Sequence, residues 1–183
     1  MGKIKNLTED ECYEVLEQHL FSKVMKTIHH SIRVRDICEE IVCELNKVCE
    51  LNKNVQIKIN TTLLYNAAIF HDIAKFDYED KHHKKAKKIL KRQGVEGKKA
   101  FSIIGAHKGK FAPNYNVALE AAILRMADKI DKFNKHKYDA NSACKKSLKK
   151  IKKFYEKSDL ENYKLFKYAC NRVKKRHQQF YGC

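Results

Sequence analysis

The chain has little of what breaks a helix or staples a small fold. One proline, Pro113, and six glycines in 183 residues leave few tight turns. Long helices with short connections are the natural reading. No run of about 18 apolar residues occurs, so no membrane-spanning helix is expected. The opening MGKIKNLTEDECYEVLEQHL meets acids too early to form the apolar core of a secretory signal. Gly2 is followed by Asn6 where a myristoylation motif carries Ser or Thr, so that modification is set aside. A cytoplasmic protein is expected. The seven cysteines form no CxxC pair, and Cys38, Cys43 and Cys49 are too widely spaced for a zinc knuckle. Reduced thiols fit that compartment. The GxxxxGK[ST] phosphate loop, the GxSxG elbow and the HExxH zinc motif are all missing.

What the chain does have is apolar content and positive charge. Hydrophobic residues make up 43%, enough for a core and too many for a disordered tail protein. The net charge is +17, and residues 135–183 hold 15 Lys/Arg against 4 Asp/Glu. A basic tail can bind nucleic acid or anionic lipid. The plainer reading is a solvated face on two lysine-rich helices. Phe154, Tyr155, Tyr163, Phe166, Tyr168, Phe180 and Tyr181 interleave with those charges. Aromatics at helical spacing read first as core and second as base-stacking platforms.

Thr8 and Glu11 form a capping box opening a helix to about Val24. A second helix is expected from about His30 to Leu51, with Val34, Ile37, Cys38, Ile41, Leu45 and Val48 as its apolar stripe. Residues 52–60 read as a loop; the alternation in VQIKI lacks a partner strand. Thr61 or Thr62 can cap a third helix, LLYNAAIFHDIAKF, apolar nearly all round and therefore central. Further helices are expected at about 80–92, ending at Gly94, at 98–108 and at 116–133, followed by two basic ones. Ser158 and Glu161 form the last capping box. The expected fold is all-α, one domain of seven or eight helices, with basic C-terminal helices at about 141–181.

The central helix is where chemistry concentrates. A buried apolar helix should not carry His71, Asp72 and Lys75 together, because an ionised carboxylate without a partner is costly to bury. A divalent cation is one partner that imidazole nitrogen and carboxylate oxygen suit. A hydrogen-bonded His–Asp pair is the other. His30 opens HHSIRV, and Asp128 lies in LRMADKID, again in helical contexts.

Taken in order, these residues resemble the HD-domain superfamily of metal-dependent phosphohydrolases. HSIRV resembles the family's H-S-x-R-V helix start, AAIFHDIAKF its A-A-L-L-H-D-I-G-K helix, and ADKID its closing A-D-x-L helix. The matched stretch covers about residues 29–133. The resemblance implies a metal held by His30, His71, Asp72 and Asp128. His82, in HHKKAKKIL, and His107, in IIGAHKGKF, resemble segments that bind a second metal in dinuclear members. Here Lys108 follows His107 where some members carry a second His, so the pair serves either a second metal or a phosphate.

The expected cofactor is one or two divalent ions, Mn, Fe, Co, Ni, Zn or Mg. The expected reaction is hydrolysis of a phosphomonoester or phosphodiester, with a nucleotide as the phosphorylated small molecule. Asp72 ligates and orients water. Lys75, one turn after His71, reaches a phosphate or pairs with Asp77, Glu79 or Asp80. Arg33 and Arg125, each one turn from a ligand, read as structural ion pairs that can also meet substrate. The G-Y-P phrase of cyclic-dinucleotide members is missing, and FDYED lacks the spacing of the alarmone subgroup's E-D pair. The competing class is a basic nucleic-acid-binding protein, or an HD-type nuclease using the lysine-rich helices.

Overall fold

The structure is a computed structural model that describes residues 8–20, 24–52, 57–75, 82–94, 97–135, 139–156 and 159–181. It contains helices α1 (Glu9–Leu20), α2 (Val24–Leu51), α3 (Thr61–Phe70), α4 (His82–Arg92), α5 (Lys98–Ala106), α6 (Ala118–Ile130), α7 (Ala140–Tyr155) and α8 (Leu160–Tyr181). Single 3-10 turns at Tyr115–Val117 and Phe133–Lys135 flank α6. No strand occurs among the described residues, so the protein is all-α as expected. None of the described helices is long and apolar enough to cross a membrane.

Local chemistry explains most helix boundaries. Thr8 and Glu11 form the expected capping box: the Thr8 N–H donates to Glu11 Oε2 at 2.7 Å and the Glu11 N–H to Thr8 Oγ1 at 3.3 Å. The cap of α3 is Asn60 rather than Thr61 or Thr62, its Oδ1 accepting from the Leu63 N–H at 3.0 Å. The Asn60 N–H in turn donates to the buried Glu120 of α6 at 3.0 Å, which fixes where α3 begins. Helix α2 starts at Val24, earlier than His30, because nothing in VMKTIHH interrupts it. Gly94 closes α4 with φ 76°. Ser158 lies outside the described residues; Asp159 Oδ1 accepts from the Asn162 N–H there at 3.1 Å. Residues 57–60 are irregular, and Val55 and Gln56 lie outside the described residues.

Helix α2 is the spine, packing on α3, α6 and α8. All six residues of its expected stripe are buried. Phe70, Ile37, Ile41, Leu45, Leu64, Ile103 and Phe166 form the deepest part of the core. Each such side chain stabilises the fold by about 1.5–3 kcal/mol. Helix α3 also meets α1 and α5, α5 lies against α4 and α6, and α7 lies against α6.

Helix α8 docks on α2 through apolar and ionic contacts. Phe166, Ala169, Cys170 and Val173 are buried. Glu44, only 4% exposed, accepts from Arg172 and Arg176, each at 2.9 Å. Glu40 meets Arg176 at 3.2 Å and His177 at 2.9 Å. Of the interleaved aromatics, Tyr155, Tyr163 and Phe166 are core residues, whereas Tyr168, Phe180 and Tyr181 are exposed. No cysteine is disulfide-bonded among the described residues. Burial pushes the Cys12 thiol up to about 12 and Cys144 to about 11, so both behave as small apolar groups.

Candidate metal centre

Three helices end at one point. His71 is the C-cap of α3, His107 the C-cap of α5 and Asp131 the C-cap of α6. The carbonyl ends of three helices therefore face the same place, and helix C-termini favour positive charge. Both histidines stop their helices in the same way. His71 Nδ1 lies 2.6 Å from the Ala68 carbonyl, and His107 Nδ1 lies 2.7 Å from the Ile104 carbonyl. With these carbonyls engaged by the rings, the chain after Phe70 tightens into turns closed by Ile73 N–H to Phe70 O and Lys75 N–H to Asp72 O. The expected third helix is thus shorter than its sequence phrase, and Lys75 is placed against Asp72.

The ligand-type atoms converge. His30 Nε2 lies 3.2 Å from His71 Nε2, 3.5 Å from Asp72 Oδ2 and 3.5 Å from Asp128 Oδ1. His71 Nε2 is 3.7 Å from Asp72 Oδ2 and 3.9 Å from Asp128 Oδ1. On the other side, Asp72 Oδ1 lies 3.1 Å from His82 Nε2 and 3.7 Å from His107 Nε2. The two oxygens of one carboxylate are divided between two histidine pairs. The four rings form a string, with centroids 5.1, 5.0 and 5.4 Å apart from His30 through His71 and His107 to His82.

This donor set fits divalent cations. His30, His71 and Asp72 make one buried triad, and Asp72, His82 and His107 make a second, each with ligand atoms within 4.8 Å of one another. Bonds of about 2.0–2.2 Å would put the ligands of one ion roughly 3.0–3.5 Å apart, close to these spacings. In three of the rings Nδ1 donates to protein, to Asp131, Ala68 and Ile104, so Nε2 presents its lone pair inward. Two such nitrogens 3.2 Å apart beside two carboxylates demand positive charge between them. Without metal that charge is a proton on His30. Burial opposes it, but Asp128, Asp131 and Asp72 outweigh burial and raise His30 to about 10. Burial holds His71 neutral, down to about 4. Burial alone would raise Asp72 and Asp128; His71 and the other histidines hold Asp72 well below the carboxylate range, and Lys129 and His30 do so for Asp128.

Every residue singled out in the sequence lies in or beside this cluster. His82 is 4% exposed although its phrase is a polar run, while His29 is exposed. Lys75 Nζ donates to Asp72 Oδ2 at 2.9 Å; Asp77, Glu79 and Asp80 lie outside the described residues. Arg33 Nε donates to Asp131 at 2.6 Å. Arg125, buried, makes no ion pair among the described residues. It donates to the carbonyls of Ala106 at 2.8 Å and Gly109 at 3.0 Å, bracketing His107.

Two residues were not anticipated. Asp131 is 1% exposed and holds His30 Nδ1 at 2.7 Å; its signal was the i, i+3 spacing from Asp128 on one helix face. Lys129 pairs with Asp128, and nothing but adjacency marked it.

The described residues thus gather histidines and aspartates that could hold a divalent metal where the helix ends converge. The HD domain matches residues 27–132, more than half of the chain, and the chain belongs to that superfamily of metal-dependent phosphohydrolases. No curated protein and no solved structure matches it.

Proposed function

We infer that this protein hydrolyses a nucleotide-type phosphoester, using two divalent ions that share Asp72. His30, His71, Asp72 and Asp128 would hold the first, and Asp72, His82 and His107 would hold the second. The observation that carries this reading is the division of Asp72's two oxygens between the two histidine pairs. Ions bound there supply an acidified water and neutralise phosphoryl oxygens.

The chain's own residues supply the rest. Asp72 fixes the spacing of the two halves and accepts a hydrogen bond from the attacking water. Lys75, its side chain 43% exposed, stands between Asp72 and solvent. Burial works against its charge, but Asp72 outweighs burial, so it meets a phosphate as an ammonium. Lys129 offers the same on the Asp128 side. Arg33 and Arg125 act by positioning: Arg33 orients Asp131, which holds the His30 ring, and Arg125 holds the turn that carries His107. The protein acts in the cytoplasm as one folding unit, since α7 and α8 pack on the helices of the metal site.

The test is a hydrolysis screen of metal-loaded enzyme over nucleoside monophosphates, dinucleotides and a chromogenic phosphodiester, with Mn, Fe, Co, Ni, Zn and Mg in turn. Turnover that depends on one of these ions and vanishes in Asp72→Ala is expected. No turnover with any ion, or turnover retained in Asp72→Ala, overturns the reading.

A further inference from the structure

Much of the positive charge is accounted for by the fold. Arg172 and Arg176 of α8 neutralise Glu44 and Glu40, so they serve helix docking. The charge on α7 is different. That helix carries six lysines and no acid. Lys152 pairs with Glu156 at 3.2 Å. Lys146, Lys149, Lys150 and Lys153 fall within an arc of about 100° on a helix of 3.6 residues per turn. Lys146, Lys149 and Lys153 are exposed and have no carboxylate partner among the described residues.

This strip leads to the metal centre. Lys150 Nζ donates to the Gly109 carbonyl at 2.9 Å, two residues after His107. Phe154, on the same helix, packs edge-on against Phe111 at 5.4 Å. Around these anchors the loop exposes Lys108 and Lys110, and it ends at Tyr115, 61% exposed. The cationic row thus runs along the C-terminal half of α7, roughly 10 Å from Lys146 to Lys153 at about 1.5 Å per residue, and onto the loop bearing His107.

We propose that the α7 lysine strip and the 108–115 loop bind the backbone of a single-stranded polynucleotide and deliver its end to the metal centre. The inference rests on the phosphohydrolase reading and names its substrate class. Charge without matching acids fits a polyanion, and Tyr115 offers a stacking face for a base. A flexible strand end rather than a duplex is required, because His71, His82 and His107 are each at most 4% exposed and a stiff double helix cannot bring a phosphate to them.

The test is fluorescence anisotropy with labelled single strands of about 20 nucleotides, RNA and DNA in separate arms, from about 50 to 200 mM salt. The full-length chain is compared with K146E/K149E/K153E and with a charge-matched control on exposed lysines outside the strip, K26E/K167E/K175E. The strip variant is expected to lose about tenfold or more in affinity, with a salt slope shallower by roughly 2, from about 0.7 per lost phosphate contact. The control should stay within about threefold of wild type, and whichever sugar binds tighter identifies the substrate. Absence of saturable binding by wild type, equal losses in both variants, or equally tight binding of a duplex overturns the proposal. Metal content and hydrolysis of a small chromogenic phosphodiester, expected unchanged in K146E/K149E/K153E, report separately on the underlying reading.

Discussion

Replacing Asp131 by Asn is expected to weaken metal binding without changing any residue of the proposed ligand set. Asp131 accepts from His30 Nδ1 at 2.7 Å and from Arg33 at 2.6 and 3.3 Å, and it is almost wholly buried. The amide keeps the shape and one acceptor but loses the charge. A hydrogen bond to a charged group contributes about 1.5–3 kcal/mol and a neutral one about 0.5–1.5, so the difference is roughly 1–1.5 kcal/mol. That is about tenfold in affinity, within the 10–100-fold range typical of groups that orient metal-binding histidines. Arg33 loses its ion partner, but its side chain is 35% exposed, so water recovers most of that cost. The assay is competition with a metallochromic chelator, alongside circular dichroism. A dissociation constant within twofold of wild type, in a folded protein, refutes the claim that Asp131 sets the basicity and orientation of His30.

Two further predictions concern the supports of the fold. Arg125→Lys cannot hold the Ala106 and Gly109 carbonyls together, so His107 loses its position; elemental analysis should show loss of one ion while the other is kept, and unchanged stoichiometry contradicts the assignment. Glu44→Gln should lower stability at neutral pH by about 1–2 kcal/mol, discounted because Arg172 and Arg176 are 56% and 39% exposed. Burial alone would raise Glu44, but Arg176 and Arg172 hold it below its ordinary value of 4.5. Its contribution is therefore complete above that value and lost as pH falls through the lowered one. The gap in melting temperature between wild type and Glu44→Gln should close on acidification below 4.5; a gap unchanged down to the acid limit of folding argues against the sign.

The parts of the fold legible in the sequence were those written in periodicity. The Val34–Val48 stripe of α2 and the apolar α3 announced which faces are buried. Boundaries were less legible because they depend on distant partners. Asn60 caps α3 partly because Glu120, 60 residues on, takes its N–H. Helix α3 stops at Phe70 because the His71 ring engages the Ala68 carbonyl. In the site, HD was visible as an ionisable pair in an apolar helix. Asp131 was not, since an Asp beside lysines looks like a surface ion pair until its burial is known. His82 was masked the same way by its lysine-rich neighbours, and the sequence carried no hint that three helix C-termini would meet.

The most direct test of the account is metal per chain, by elemental analysis, in wild type, Asp72→Ala and His82→Ala/His107→Ala purified in parallel. If Asp72 bridges two sites, the counts should be two, none and one. Metal absent from wild type even after reconstitution with each ion, or retained at the wild-type level in Asp72→Ala, contradicts it.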